Sequence, residues 1–290
     1  MDIEAYYFGP GYGLPSVSPF CCKLDLYFQA AKISTNHWRL NRWSWNVPLI
    51  HSLPLFFVSI AFSYLLLPLP EYDTKHLIGA GKSPTKTLPC IRSSENKYVG
   101  DSAAIIEMMK TQGYNLDGNL SESDRAVMLC LQRLIENHLV IPFMYMRWLT
   151  KEGNKAMGTN VLAKFPAPIK FVACRKMAGI TKTRMKHGGI GGTQEQMFSL
   201  LQEDVLAIAA ILGENEFMFG QSSVTSADCI VWGMLCQIYY DTGFIELKIA
   251  AWMQQATPKL CQYLDRLKTM YYSVPMEEIP DPSAETKADA

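Results

Sequence analysis

The sequence predicts an α+β protein with two packed parts, a small N-terminal α/β domain and a larger all-helical C-terminal domain. Three observations support this prediction: a strand–loop–helix pattern opens the chain, a hairpin and a capped helix lie near residue 100, and only helical patterns follow residue 121. With 290 residues, 49% of them hydrophobic, the chain is long enough for two domains that each bury a core.

The first 33 residues predict a strand, a loop and a helix. The aromatic run Ala5–Phe8 has strand character and is closed by Gly9-Pro10-Gly11. The helix should begin at Pro19, because Ser18 is a good N-cap and Pro19 suits the first helical position, and it should reach Lys32, because no Pro or Gly occurs from Phe20 to Lys32.

A second group of elements completes the first domain, which we place at 1–112. Thr87–Arg92 reads as a strand entered through a proline, and Lys97–Val99 reads as its hairpin partner. Asp101 and Ser102 then cap a helix. A further strand is expected somewhere between residues 33 and 82.

From residue 121 onward the sequence predicts helices alone, in a domain that we place at 120–272. They are expected at about 121–148, from Pro166 or Pro168 to about 186, at 193–213, from Thr225 onward, and at 258–270. Thr225 and Asp228 form a capping box, which we assign to structure rather than to chemistry. The tail, 273–290, is rich in proline and charge and is predicted to be disordered.

Charge and cysteine usage exclude several function classes. The 27 Lys and Arg balance the 27 Asp and Glu, which argues against a dedicated nucleic-acid binder. Eight cysteines are scattered without a CxxC pair or a Cys/His metal spacing, so we expect reduced thiols and no metal. The acidic start, Met1–Glu4, is unlike a signal peptide, and we expect a cytoplasmic protein.

Several motifs in a fixed order resemble those of the glutathione S-transferase superfamily. The motifs are Ser18-Pro19-Phe20-Cys21 at a helix start, Pro89 before a later strand, Asp101-Ser102 after a hairpin, and Phe217-Met218-Phe219-Gly220 followed by Thr225-Ser226-Ala227-Asp228. The resemblance covers roughly 5–33 and 74–272. It is most similar to the failed-axon-connections and metaxin-type proteins, which share Pro15-Ser16, Cys22-Lys23-Leu24, Glu136-Asn137-His138-Leu139 and Arg147-Trp148.

The resemblance implies a thioredoxin-like first domain that binds glutathione. It places Ser18 opposite the glutathione sulfur as the catalytic residue, and it makes the Leu88–Pro89 bond a cis bond that presents the Leu88 backbone to the ligand. Asp101 and Ser102 would bind the γ-glutamyl amine and carboxylate. A helix N-terminus with a hydroxyl is chemically suited to a thiolate. The alternative is that Ser18, Asp101 and Ser102 only cap helices.

Two further motifs favour structure over chemistry. The glycine-rich stretch 187–192 lacks the G-x-x-x-x-G-K-[ST] pattern and joins two helices, so we expect a connection rather than a phosphate loop. His138 lies on an apolar helix and is expected to be a satisfied core histidine.

A hydrophobic insertion at about 35–71 departs from the family pattern. No Asp, Glu, Lys or Arg occurs from Trp43 to Pro70, which marks a membrane candidate by hydropathy. Its proline-free part, 55–67, would reach only about 20 Å as a helix, against a bilayer core of about 30 Å. A crossing would also put strands of one sheet on opposite sides of the membrane.

Three alternatives for this segment stay open. It is a membrane anchor that touches the bilayer through 47–70, an apolar loop packed on the helical domain, or an artefact of the gene model such as a retained intron.

Two functions follow from the resemblance. The first is a glutathione transferase that joins glutathione to an apolar electrophile, with homodimer formation as an open alternative. The second is a non-catalytic adaptor with the same fold at a mitochondrial or other membrane.

Overall fold

The computed structural model describes residues 3–39, 83–93, 96–163, 167–241, 243–244 and 247–272. The apolar segment 43–70 and the tail from residue 273 lie outside these ranges, and so do the predictions made for them.

Four strands within the described ranges form one mixed sheet in the order β2-β1-β3-β4. The strands are β1 (Ile3–Tyr7), β2 (Thr35–Arg39), β3 (Cys90–Arg92) and β4 (Tyr98–Gly100). β1 pairs in parallel with β2, and the other two pairs are antiparallel. The strand expected between residues 33 and 82 is therefore β2, so the first residues of the predicted insertion belong to the sheet.

Helix α1 (Pro19–Ala30) supplies the crossover that two parallel strands require. Nine of its 12 residues are buried, because α1 contacts α2 (Ser102–Thr111) as well as two helices of the C-terminal part. The helix begins at Pro19, as predicted, and it ends at Ala30, two residues before the predicted end at Lys32.

Helices make up the described part of the chain after residue 121, as predicted. They are α3 (Glu122–Trp148), which contains a π-helical stretch at Leu134–Leu139, α4 (Lys151–Ala156), α5 (Ala167–His187), α6 (Gln194–Leu212), α7 (Ser226–Tyr240), α8 (Ile249–Ala256) and α9 (Pro258–Tyr271). Neither α4 nor α8 was predicted from the sequence. α8 has eight residues, and α4 has six before it continues as a π-helical stretch at Met157–Val161, so neither α-helical segment is long enough for a helical period to stand out.

Helix α7 lies at the centre of the molecule. Thirteen of its 15 residues are buried, as expected for a helix that is apolar on all sides. A Cβ added at Gly233 would lie 2.6 Å from the Pro19 carbonyl oxygen and 2.7 Å from Lys23 Cβ. The glycine therefore permits close packing of α7 on α1, which joins the two parts through one continuous core.

Among the described residues, α3 is the one helix long and apolar enough to pass a membrane-span criterion, and 44% of its apolar window is buried inside the protein. Leu131, Ile135 and Leu139 are among the residues that belong to the common core. The last third of the helix, Val140–Trp148, is mostly buried and packs in the core of the folded chain.

Candidate ligand-binding site

The sheet register gathers the predicted site residues at one end of the sheet. Tyr6 pairs with Cys90, and Cys90 pairs with Gly100. The next position on each strand is Tyr7 at the end of β1, Pro89 before β3 and Asp101 after β4. Since adjacent strands lie about 4.8 Å apart, the ends of β1 and β4 are separated by roughly 10 Å.

Helix α1 begins at this same end. The crossover from β1 to its parallel neighbour β2 returns through α1, so the N-terminus of α1 lies beside the carboxyl end of β1. Ser18 immediately precedes α1. The bond between Leu88 and Pro89 is cis, and both residues are buried.

Asp101 is the N-cap of α2 and has a strained backbone. Its Oδ1 accepts hydrogen bonds from the backbone N–H groups of Ala103 at 2.9 Å and Ala104 at 3.1 Å. Its φ of 75° and ψ of 122° are unusual for a residue with a side chain. Such strain is held in place by its surroundings and occurs most often at functional sites. Asp101 is exposed, whereas Ser102 is buried.

Gly100 allows another segment to approach Asp101. A Cβ at Gly100 would collide with the hydroxyl oxygens of Ser83 and Thr85. These two hydroxyl groups lie 2.9 Å apart, and the Ser83 side chain is buried. Residues 83–85 therefore form one wall beside the N-terminus of α2, which the sequence analysis did not anticipate.

Ser18 occupies the N-cap position of α1 without a side-chain capping bond. Its backbone is extended, with φ −107° and ψ 127°, and its carbonyl accepts from the Cys22 N–H at 3.0 Å. Its own N–H donates to Ser16 Oγ at 3.2 Å. The hydroxyl is therefore not used for capping, which weakens the interpretation of Ser18 as a cap alone. Ser18 is 9% exposed.

Cys21 is a buried thiol in the first turn of α1. Burial raises the pKa of the Cys21 thiol to about 12, and hydrogen bonds from the Phe8 backbone and the Ser18 side chain offset this only in part. Burial likewise raises the pKa of the Cys22 thiol. Both thiols are protonated near neutral pH, so neither is an activated nucleophile.

Two buried side chains of the helical part hold the loop that leads to Ser18. Gln237 on α7 donates through Nε2 to the Ser16 carbonyl at 2.8 Å and lies 3.2 Å from Cys22 Sγ. Arg147, near the end of α3, donates through Nη1 to the Val17 carbonyl at 2.8 Å.

Arg147 is itself fixed by buried partners. Its Nη2 donates to Asp241 Oδ2 at 2.6 Å and to Gln237 Oε1 at 2.9 Å, and its guanidinium lies 4.4 Å from the centre of the Phe143 ring. Arg147, Gln237 and Asp241 are each at most 3% exposed. We refer to these three residues as the interdomain clamp.

From the sequence, Arg147 was noted only within the resemblance, and Gln237 and Asp241 were not predicted. One signal was present, because Arg147 is the single charged residue in the apolar run 140–148. A charge in an apolar helix predicts a buried partner, but it does not tell which one. The partner Asp241 lies 94 residues further along the chain.

Thr225 and Asp228 form the capping box at the start of α7. Asp228 accepts at Oδ2 from the Thr225 N–H and hydroxyl, both at 2.8 Å, and at Oδ1 from Met218 N and the Tyr263 hydroxyl, both at 2.9 Å. This arrangement fixes the N-terminus of α7.

His138 has a partner but is not fully buried. Its Nδ1 lies 2.7 Å from Asp204 Oδ2 on α6, and its side chain is 38% exposed. It therefore lies at the edge of the core rather than within it. Burial raises the pKa of the Asp204 carboxyl, and His138 counteracts this rise.

A small crevice, with room for about one water molecule, lies between the two parts next to Pro19. Pro19, Phe20 and Lys23 of α1 line one side, and residues of α3 and α7, including Ile135 and Met234, line the other. Lys23 Nζ forms an ion pair with Glu136 Oε1 at 2.7 Å in its wall. Within the described ranges, no group of three or more His, Cys, Asp or Glu is suited to hold a metal ion.

Two family models match the chain. One is described as the glutathione S-transferase N-terminal domain and matches residues 64–153, and the other is described as the glutathione S-transferase C-terminal domain and matches residues 201–267.

Similar curated proteins fall into two groups. The isoprene-epoxide–glutathione S-transferase of Rhodococcus sp. is 25% identical over 284 residues, covering 93% of this chain and 99% of that protein. Mouse metaxin-1 is 22% identical over 69% of this chain, and Failed axon connections of Drosophila melanogaster is 25% identical over 83%. The matches span 65% and 62% of the lengths of these two proteins.

Solved structures show the same fold. A glutathione S-transferase of Ceriporiopsis subvermispora in complex with glutathione superposes with a TM-score of 0.56 at 14% identity, covering 96% of this chain and 99% of that one. A glutathione transferase of Phanerochaete chrysosporium gives a TM-score of 0.55, also at 14% identity, over 94% and 97% of the two chains.

Proposed function

The chain belongs to the glutathione S-transferase superfamily, and from this premise we propose that it binds glutathione at the sheet end formed by β1, β3 and β4. The observation that carries the proposal is the strand register, which brings the N-termini of α1 and α2 to either side of Pro89. An extended tripeptide is about 10 Å long, which matches the span from the end of β1 to the end of β4.

Each part of glutathione would meet a complementary group. The γ-glutamyl carboxylate would lie at the N-terminus of α2, where free N–H groups and the helix dipole favour an anion. The amine would lie near the exposed carboxylate of Asp101. The backbone of Leu88 would face the middle of the peptide. The sulfur would lie at the N-terminus of α1, next to Ser18.

Ser18 would activate the thiol by donating its hydroxyl hydrogen bond to the thiolate. A donor and a helix N-terminus both lower a thiol pKa, which raises the thiolate fraction near neutral pH. The thiolate would then attack an electrophilic carbon and form a C–S bond. With an epoxide, the electrophile named for the Rhodococcus relative, the C–O bond breaks and its oxygen takes a proton from water.

The second substrate, a small apolar electrophile, would bind against the helical part. The crevice between α1, α3 and α7 has room for about one water molecule, so it would have to widen to take part in that binding.

A specific observation favours the non-catalytic adaptor as a second candidate. Ser18 is only 9% exposed, so its hydroxyl has little open surface for a ligand sulfur. Mouse metaxin-1 is 22% identical over 69% of this chain. The proposed membrane adaptor and the proposed cytoplasmic transferase would both use the same two parts.

The two candidates differ in a measurement on the full chain. We would measure glutathione binding by calorimetry and turnover of an aryl halide and an epoxide, for the wild type, Ser18→Ala and the control Ser123→Ala. Ser123 is an exposed serine in the first turn of α3. A transferase loses turnover in Ser18→Ala but not in Ser123→Ala, and an adaptor that keeps the glutathione site shows binding without turnover in every variant. Absence of binding rejects the proposed glutathione site.

A further inference from the structure

Helix α5 packs on the rest of the protein along only one side. It is 21 residues long, yet Thr181 is its one buried residue. It contacts the last third of α3, Val140–Trp148, and leaves the opposite face to solvent.

This helix concentrates positive charge in a chain that has no net charge. It contains six Lys and Arg residues and no Asp or Glu; the six are Lys170, Arg175, Lys176, Lys182, Arg184 and Lys186. Among the residues that the structure describes, none of the six lies within ion-pair distance of a carboxylate. With respect to the described residues, the cations on the exposed side of this helix are therefore available to attract an anionic surface.

The same face exposes apolar side chains. Phe171 is 66% exposed, and Ile180, Val172 and Ile169 are between 37% and 40% exposed. Of the nine large hydrophobic side chains that are exposed in the described parts of the chain, these four lie on one helix. Exposed apolar groups gathered in one place mark a contact surface rather than ordinary surface scatter.

The apolar and basic groups are arranged together. At about 100° per residue, Phe171, Arg175, Lys182 and Lys186 fall within an arc of roughly 60° on the exposed side. We refer to these four residues as the α5 stripe. Further around the exposed half of the helix, apolar and basic side chains are also mixed, at Val172, Lys176 and Ile169.

We propose that α5 docks on the surface of a membrane that contains anionic lipids. The cations would lie among the lipid phosphates, and Phe171 would enter the boundary between head groups and acyl chains. Long Lys and Arg side chains can extend to the head groups while their stems lie beside apolar groups, so the interleaved pattern suits this occupant. A nucleic acid offers no apolar layer for Phe171. An acidic groove on a protein would instead favour a helix whose apolar side chains form one narrow line, unlike the mixed face of α5.

The test is co-sedimentation of the full chain with vesicles of phosphatidylcholine alone or mixed with phosphatidylserine. The variants are Arg175→Gln/Lys182→Gln and Phe171→Ser. Their controls are Arg133→Gln/Lys259→Gln, which removes the same charge from exposed positions on α3 and α9, and Leu206→Ser, which removes an exposed apolar group from α6. Circular dichroism and thermal melts establish that each variant folds.

The wild type should bind the anionic vesicles and not the neutral ones, with binding that weakens as salt is added. A basic residue near an anionic membrane contributes about 1 kcal/mol, so the double α5 variant should partition roughly thirtyfold less. Phe171→Ser should also weaken binding, and both controls should leave it unchanged.

Three results overturn the proposal. They are no sedimentation with anionic vesicles, equal sedimentation of the wild type and the double α5 variant, and equal sedimentation with neutral and anionic vesicles. Binding of a polyglutamate peptide that depends on the α5 stripe, without vesicle binding, would assign the face to an acidic protein instead. Because the stripe is distinct from the residues of the glutathione site, a failed glutathione measurement leaves this proposal unaffected.

Discussion

At the residue scale, Asp101 combines a structural and a proposed binding role in one side chain. One carboxylate oxygen caps α2, while the backbone is held at a positive φ beside the end of β4. The two roles use different properties of the group, because capping needs an acceptor atom and attraction of an amine needs a negative charge.

Substitutions at Asp101 should separate these roles. Asp101→Ala removes both capping bonds and should lower the free energy of unfolding by about 1 kcal/mol. Asp101→Asn keeps an acceptor and should change stability little, yet loss of the charge should weaken glutathione binding by roughly fivefold. Urea unfolding and calorimetry measure the two effects. Wild-type affinity in Asp101→Asn would reduce Asp101 to a cap.

Arg147 shows what a buried ion pair contributes at this site. Arg147→Met leaves Asp241 buried without its charge partner, which should cost about 3–5 kcal/mol of unfolding free energy. Adding Asp241→Leu removes the orphaned charge and should recover part of that loss. A double-mutant cycle by urea unfolding measures the coupling; additive losses would contradict a direct pair.

At the element scale, local signals explain why helix starts could be predicted. Pro19 begins α1, Asp101 caps α2, and the residue after Thr225 begins α7, each as their residue types suggest. The interdomain clamp could not be predicted from such local signals. Arg147 contacts Val17 across 130 positions, a pairing that depends on how two domains pack and leaves no local pattern.

The contact between α1 and α7 gives a prediction with an internal control. Gly233→Ala places a Cβ against the Pro19 carbonyl and should lower stability by about 1–3 kcal/mol. Gly179→Ala on α5 meets no atom within 4 Å and should raise stability by up to about 1 kcal/mol. Thermal and urea unfolding measure both. Equal changes in the two variants would contradict the close approach of α7 and α1.

At the scale of the whole molecule, buried thiols should make the fold sensitive to alkali. Burial raises the pKa of Cys21 from 9.0 to about 12. Between these pH values the unfolded chain releases a proton that the folded chain retains, so the stabilisation present below pH 9 is lost as the pH rises toward 12. The urea midpoint should fall from pH 8 to pH 10, and more gently in Cys21→Ala. If the urea midpoint changes with pH equally in both proteins, Cys21 is not the group responsible.

The predicted two-part architecture and superfamily depended on patterns that recur along the whole chain, such as strand alternation, caps and helical periods. The site is a property of the assembled molecule. The sequence indicates Ser18, Pro89 and Asp101 one at a time, whereas only the sheet register places them at one end, and only packing shows that residues 83–85 and Arg147 adjoin them.

The central claim is that Ser18 faces the sulfur of glutathione bound at this end of the sheet. It is tested most directly by a pH titration of the ultraviolet thiolate absorbance of glutathione bound to the full chain, in the wild type and in Ser18→Ala. We predict that the pKa of the bound thiol lies below its ordinary value of about 8.5 in the wild type and returns toward that value in Ser18→Ala, with little loss of affinity. Bound glutathione with the same thiol pKa in both proteins would contradict the claim.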